Sequence, residues 1–141
     1  MHLELNGLKK ALTSLNDVLL CVQNKNFLQL AQPIQNGLKA GVIQNFEITY
    51  ELCWKFMKRY LEHQLGSSYV DGVSRAELFR LSAEHHLIKN VNAWRKYHEC
   101  RNLTSHTYDE NIANDVFAAS VEFAKDAKKF LQAIEERNDQ D

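Results

Sequence analysis

The chain has 141 residues, of which 45% are hydrophobic and 25% charged, and its formal net charge is −1. That composition excludes wholesale disorder, and the near-neutral balance gives no global attraction to nucleic acid or acidic membranes. Any RNA binding has to come from a local patch.

One proline and five glycines favour long helices over a many-turned β architecture. The length fits one domain, residues 1–141, with its own core. Cys21, Cys53 and Cys100 are far apart, odd in number and outside any CxxC pair. Neither a disulfide framework nor a structural zinc site is expected. Met1-His2-Leu3-Glu4 lacks a basic segment followed by an apolar run, and no membrane span is visible. A cytoplasmic protein without cofactor or metal is the expectation.

In chain order, Leu5, Leu8, Leu12, Leu15, Leu19 and Val22 alternate spacings of three and four, which predicts one helical stripe. Pro33 limits any helix between Phe27 and Asn36, so that region reads as an irregular connection with at most a short turn. A second helix is predicted from about Leu38 to Leu65, with Val42, Phe46, Thr49, Cys53, Phe56, Tyr60 and Leu61 inward and Gly66 as its stop. Gly41 marks either the helix start or a close helix–helix approach.

Ser74-Arg75-Ala76-Glu77 has the form of a capping box and predicts a third helix carrying Leu78, Leu81 and His85 or Leu87 inward. A fourth helix runs from about Asn92 through Arg101. Asp109 or Asn111 caps the last, whose stripe is Ile112, Val116, Ala119, Phe123, Ala127, Phe130 and Ile134. The charged tail from Glu135 to Asp141 is expected to fray. The pattern predicts an all-α fold, an antiparallel up-and-down bundle of four or up to five helices.

Chemistry concentrates in Arg101-Asn102-Leu103-Thr104-Ser105-His106-Thr107-Tyr108-Asp109. Turns use Gly, Pro, Asn, Asp or Ser for their backbone behaviour, whereas Arg, His and Tyr bring groups a turn does not need. Five helical steps set Arg101 and His106 roughly 140° apart, so they share a face only if the helix breaks between them. Thr104-Ser105-His106-Thr107 is a weak helix former whose hydroxyls compete for backbone bonds, which favours a break.

Imidazole exchanges protons near neutrality, and guanidinium matches phosphate oxygens. The pair suits phosphodiester cleavage, with His106 acting on a ribose 2′-hydroxyl and Arg101 stabilising phosphorane charge. It equally suits plain binding of a nucleotide phosphate. A structural role, with Arg101 paired to Asp109 or Glu110 and His106 capping a helix, stands beside both. His85, His86 and His98 lack the spaced partners of a metal site. Trp54-Lys55 and Lys58-Arg59 form either a basic, aromatic rim or a core residue flanked by a solvated face.

The Arg-x4-His-x-Tyr motif at Arg101, His106 and Tyr108, together with the segment from Ile43 to Lys55, resembles HEPN domains. Within them the chain is most similar to the nucleotidyltransferase substrate-binding, HepT-like branch. Order and spacing agree from about Leu8 to Leu131. The resemblance implies a helical, homodimeric or heterotetrameric protein that partners a separate minimal nucleotidyltransferase. In toxin–antitoxin members such a protein is a metal-independent ribonuclease acting on RNA. Arg101 and His106 then match the catalytic pair, and Tyr108 the tyrosine adenylylated by the partner. Asn102, Ser105, Glu47, Tyr50, Trp54 and Lys55 are the implied supporting or substrate-binding residues. Lys39-Ala40 departs from the Arg-Asp pair that relatives usually carry.

Overall fold

A computed structural model describes residues 2–139. Six α-helices follow in order: α1 (Asn6–Gln23), α2 (Gln32–Leu65), α3 (Ser67–Val70), α4 (Arg75–Glu84), α5 (Val91–Asn102) and α6 (Glu110–Asp139), with no strand among the described residues. The all-α expectation holds, with one element more than the sequence suggested.

The predicted stripe of α1 is the buried one: Leu8, Leu12, Leu15 and Leu19 face α2 and α6. Gly41 of α2 lies opposite Val18, where a Cβ would stand 3.5 Å from Val18 Cγ2, an ordinary contact. The close approach is real, and the helix does not start there. It starts at Gln32, with Pro33 in its first turn. Proline at that point is compatible with the helix, because first-turn N–H groups have no intrahelical acceptor and φ is already set. The proline thus begins α2 rather than interrupting it, and only Phe27–Gln29 forms a separate 3-10 turn.

Gly66 ends α2 at φ +90°, in the region where a side chain would strain the backbone. One turn of helix, α3, follows directly and was not foreseen. Ser74 caps α4 through Glu77 N–H at 3.1 Å, but the reciprocal half of the capping box is missing among the described residues, because the Glu77 carboxylate is taken by Arg80. Of the two residues expected inward beyond α4, Leu87 is buried and His85 only half-buried. Asn90 caps α5 by accepting from Ala93 N–H at 3.0 Å. Asp109 caps α6, accepting from Asn111 and Ile112.

The core is an aromatic cluster between α2, α5 and α6. Phe123 meets Phe46, Trp94 and Tyr97 edge-on at centroid distances of 5.0, 5.7 and 5.3 Å. Each such pair contributes about 0.5–1.5 kcal/mol beyond its buried area. The tail expectation fails. Residues Glu135 to Asp139 stay helical because Asn138 exchanges two hydrogen bonds with the Leu3 backbone, at 3.1 and 2.9 Å, and Arg137 donates to the His85 carbonyl at 3.0 Å. Gln140 and Asp141, the rest of that tail, lie outside the described residues.

Candidate functional site

Arg101 occupies the last turn of α5, and the helix ends one residue later. Leu103 leads into a 3-10 turn, Thr104–His106. The hydroxyls act as their residue types suggest: Thr104 donates to the Arg101 carbonyl at 2.8 Å and Thr107 to the Thr104 carbonyl at 3.3 Å. Side chains thereby satisfy acceptors that a continuing helix would have used, and the predicted break is present.

Arg101 turns toward α2 and not toward Asp109 or Glu110. Its Nε donates to Glu51 Oε1 at 3.0 Å, and Nη2 lies 3.8 Å from Glu47 Oε1. Glu47 and Glu51 are four apart, so α2 presents both carboxylates on one face. The Arg101 side chain keeps 31% exposure, which leaves part of the guanidinium open to an anion.

Glu51 has a second task. Its Oε2 accepts from Trp54 Nε1 at 3.0 Å, and the Arg75 guanidinium stacks on the Trp54 ring at 3.6 Å. Arg75 in turn donates to the Tyr50 hydroxyl at 3.2 Å, which sits 2.7 Å from His98 Nδ1. Burial pushes the Tyr50 phenol up to about 12, against the lowering effect of Arg75. Burial, and then the Arg75 charge, lower the His98 pKa from its ordinary value. An unbroken chain of contacts therefore runs from His98 through Tyr50, Arg75, Trp54 and Glu51 to Arg101.

Of the residues picked from sequence, Arg101, Glu47, Tyr50 and Trp54 belong to this network. Trp54 is half-buried, and Lys55 lies exposed with its ammonium 5.8 Å from the Trp54 ring centre. Asn102, Ser105, His106 and Tyr108 are all exposed and lie outside it. No hydrogen bond joins Arg101 to His106 among the described residues. The His106 and Tyr108 rings meet edge-on at 6.0 Å, and Tyr108 is 85% exposed. Tyr108 also lines an open groove of about 610 Å³ between the first half of α2, the turn and the start of α6, which Lys39, Gln44 and Glu47 share. Three network members escaped the sequence reading: Glu51, Arg75 and His98. Glu51 was findable as the residue one turn after Glu47, and His98 as the residue three before Arg101. Nothing local marks Arg75.

The model of nucleotidyltransferase substrate binding protein-like chains matches residues 3–136. This chain belongs to that family. As a family member it is 33% identical, over 99% of its own length and 97% of the relative's, to a Haemophilus influenzae protein named probable ribonuclease HepT. A solved Haemophilus influenzae structure, described as revealing the fold of a substrate binding domain of a nucleotidyltransferase, superposes with a TM-score of 0.90 at 31% identity. That match covers 94% of this chain and 99% of the other. A Thermus thermophilus structure follows at TM-score 0.68 and 25% identity, covering 89% and 96%. The substrate-binding-domain fold expected from the two sequence segments is thus the fold observed. Among the described residues no helix is long and apolar enough to cross a membrane.

Proposed function

We propose that this family member is a ribonuclease subunit that works beside a separate minimal nucleotidyltransferase. The observation carrying the reading is the helix end at Asn102, which leaves a carboxylate-held Arg101 in the last turn of α5 and a solvent-exposed His106 in the 3-10 turn after it. In the reaction, the His106 imidazole takes the proton of a ribose 2′-hydroxyl. The 2′-oxygen bonds to phosphorus while Arg101 carries the charge on the non-bridging oxygens. The phosphorus–O5′ bond breaks, the leaving oxygen takes a proton, and a 2′,3′-cyclic phosphate and a 5′-hydroxyl result.

Tyr108 is the modification site in this reading. Its phenol is exposed beside a groove whose volume of about 610 Å³ is that of a small-ligand site. When the partner transfers a nucleotidyl group from a nucleoside triphosphate, the Tyr108 oxygen bonds to the α-phosphorus, the phenol proton is lost and pyrophosphate leaves; the resulting phosphodiester stands beside His106 and blocks RNA. Two copies of the chain pair through the apolar side chains exposed near the site, Ile48 and Leu103, and the nucleotidyltransferase completes a heterotetramer.

Purified protein is expected to cleave single-stranded RNA in excess EDTA, and His106→Ala to lose that cleavage. Intact RNA after incubation with the wild-type chain overturns the ribonuclease assignment. A nucleotidyltransferase encoded beside this chain is expected to co-purify with it; a neighbour that never binds removes the partner half.

The second reading, a substrate-binding subunit without chemistry of its own, rests on the same groove and on the described role of the structural relative. It predicts co-purification with the nucleotidyltransferase but no RNA cleavage.

A further inference from the structure

Tyr50 is fully buried, so its hydroxyl hydrogen must find an acceptor within the protein. Two groups touch the oxygen: Arg75 Nη1 at 3.2 Å and His98 Nδ1 at 2.7 Å. A guanidinium has hydrogens to give and no lone pair to offer. Tyr50 therefore accepts from Arg75, and its own hydrogen goes to His98 Nδ1. The opposite arrangement, with Nδ1–H donating to the phenol oxygen, leaves a buried O–H with no acceptor among the described residues.

An imidazole that accepts at Nδ1 is neutral and carries its hydrogen on Nε2. The lowered pKa of His98, caused first by burial and then by Arg75, agrees with this state. His98 precedes Arg101 by three residues on α5, so the two side chains stand about 60° apart on one helical face. Both are half-buried and half-open to solvent. The same contact network fixes both: Arg75 reaches Tyr50 and, through Trp54 and Glu51, Arg101.

We propose that His98 Nε2–H is a second hydrogen-bond donor to the phosphodiester held at Arg101, fixed in this tautomer by the Arg75–Tyr50 pair. The inference deepens the ribonuclease reading and rests on it for the identity of the anion. His98 acts in binding and takes no proton in the reaction. The site is then a guanidinium and a neutral donor one turn apart, with His106 beyond the break as the base.

The test uses the full chain and a single-stranded oligoribonucleotide carrying one 2′-deoxy residue at the scissile position, which binds but has no nucleophile. By fluorescence anisotropy His98→Phe is expected to weaken binding about tenfold, the effect of losing one hydrogen bond to a charged group. His98→Gln, whose Nε2 hydrogens replace the donor, is expected to recover most of that loss. Nitrogen-15 spectra of histidine-labelled protein at neutral pH are expected to show His98 protonated at Nε2 alone, and a mixture of tautomers in Tyr50→Phe. Wild-type affinity in His98→Phe, a hydrogen found on Nδ1, or no binding by the wild type overturns the proposal. Wild-type binding of this oligomer without cleavage of its all-ribose parent overturns the ribonuclease reading instead.

Discussion

Arg101 and Tyr108 belong to one short segment, yet their surroundings differ in kind. Arg101 ends a helix, is half-buried, and is fixed by two carboxylates that are part of a wider network. His106 and Tyr108 follow in a 3-10 turn and the loop after it, exposed, with their rings edge-on to each other. A charge meant to stabilise a transition state works best when its position is settled before the reaction. In the proposed function, a base that collects a proton and a tyrosine that another protein must reach need solvent access instead. The division of the segment into a held half and an open half matches those two demands.

Four experiments break or sharpen that contrast. The largest effect is expected on catalysis from the open half: His106→Ala should lower RNA cleavage by at least about 100-fold while stability changes by less than about 0.5 kcal/mol. Cleavage kinetics and urea unfolding on the same preparation check both parts, and a large loss of stability would merge the two halves.

Next comes the held half. Glu51→Ala leaves Arg101 Nε and Trp54 Nε1 without their acceptor. Because Glu51 and Arg101 each keep 31% side-chain exposure, solvent screens the loss, and about 1 kcal/mol is expected from urea unfolding. Cleavage should fall as well, since Arg101 loses its anchor.

A smaller effect concerns pH. The folded His98 has a pKa below its ordinary 6.5, so the unfolded chain binds that proton more tightly. The corresponding stability is complete above about 6.5 and is lost as pH falls from there through the lower folded value. Unfolding free energy measured across that window should decline less steeply in His98→Gln than in the wild type, and equal slopes would remove His98 from the held half. The smallest effect is Tyr108→Phe, which should leave stability within about 0.5 kcal/mol of wild type. Mass spectrometry after incubation with the nucleotidyltransferase and ATP should show an added nucleotidyl group on the wild type and none on the variant.

Legibility followed the range of the interaction. The stripes of α1 and α6, the Gly66 stop and the break after Asn102 depend on neighbours within a turn or two, and periodicity exposed them. Pro33 was misread because the same residue can end a helix or begin one, and only the chain before it decides. The charged tail looked free because its partners, Leu3 and His85, lie far away in sequence. For the site, residue type singled out Arg101, His106, Tyr108 and the Trp54-Lys55 pair, and the family likeness added Glu47 and Tyr50. It missed Arg75, which lies 25 residues from Tyr50 and joins the network only when α4 packs against α2. The structural alternative read from residue types paired Arg101 with Asp109 or Glu110, acids close in sequence, whereas the bundle supplies Glu51 from 50 residues away.

The hydrogen bonds between Leu3 and Asn138 give the molecule a nearly circular backbone path. Both ends of the described chain meet at the far end of α6, a helix of 30 residues and hence about 45 Å from its start beside Tyr108. A fluorophore attached at that end of the bundle would stand well clear of the face proposed to meet RNA and a nucleotidyltransferase.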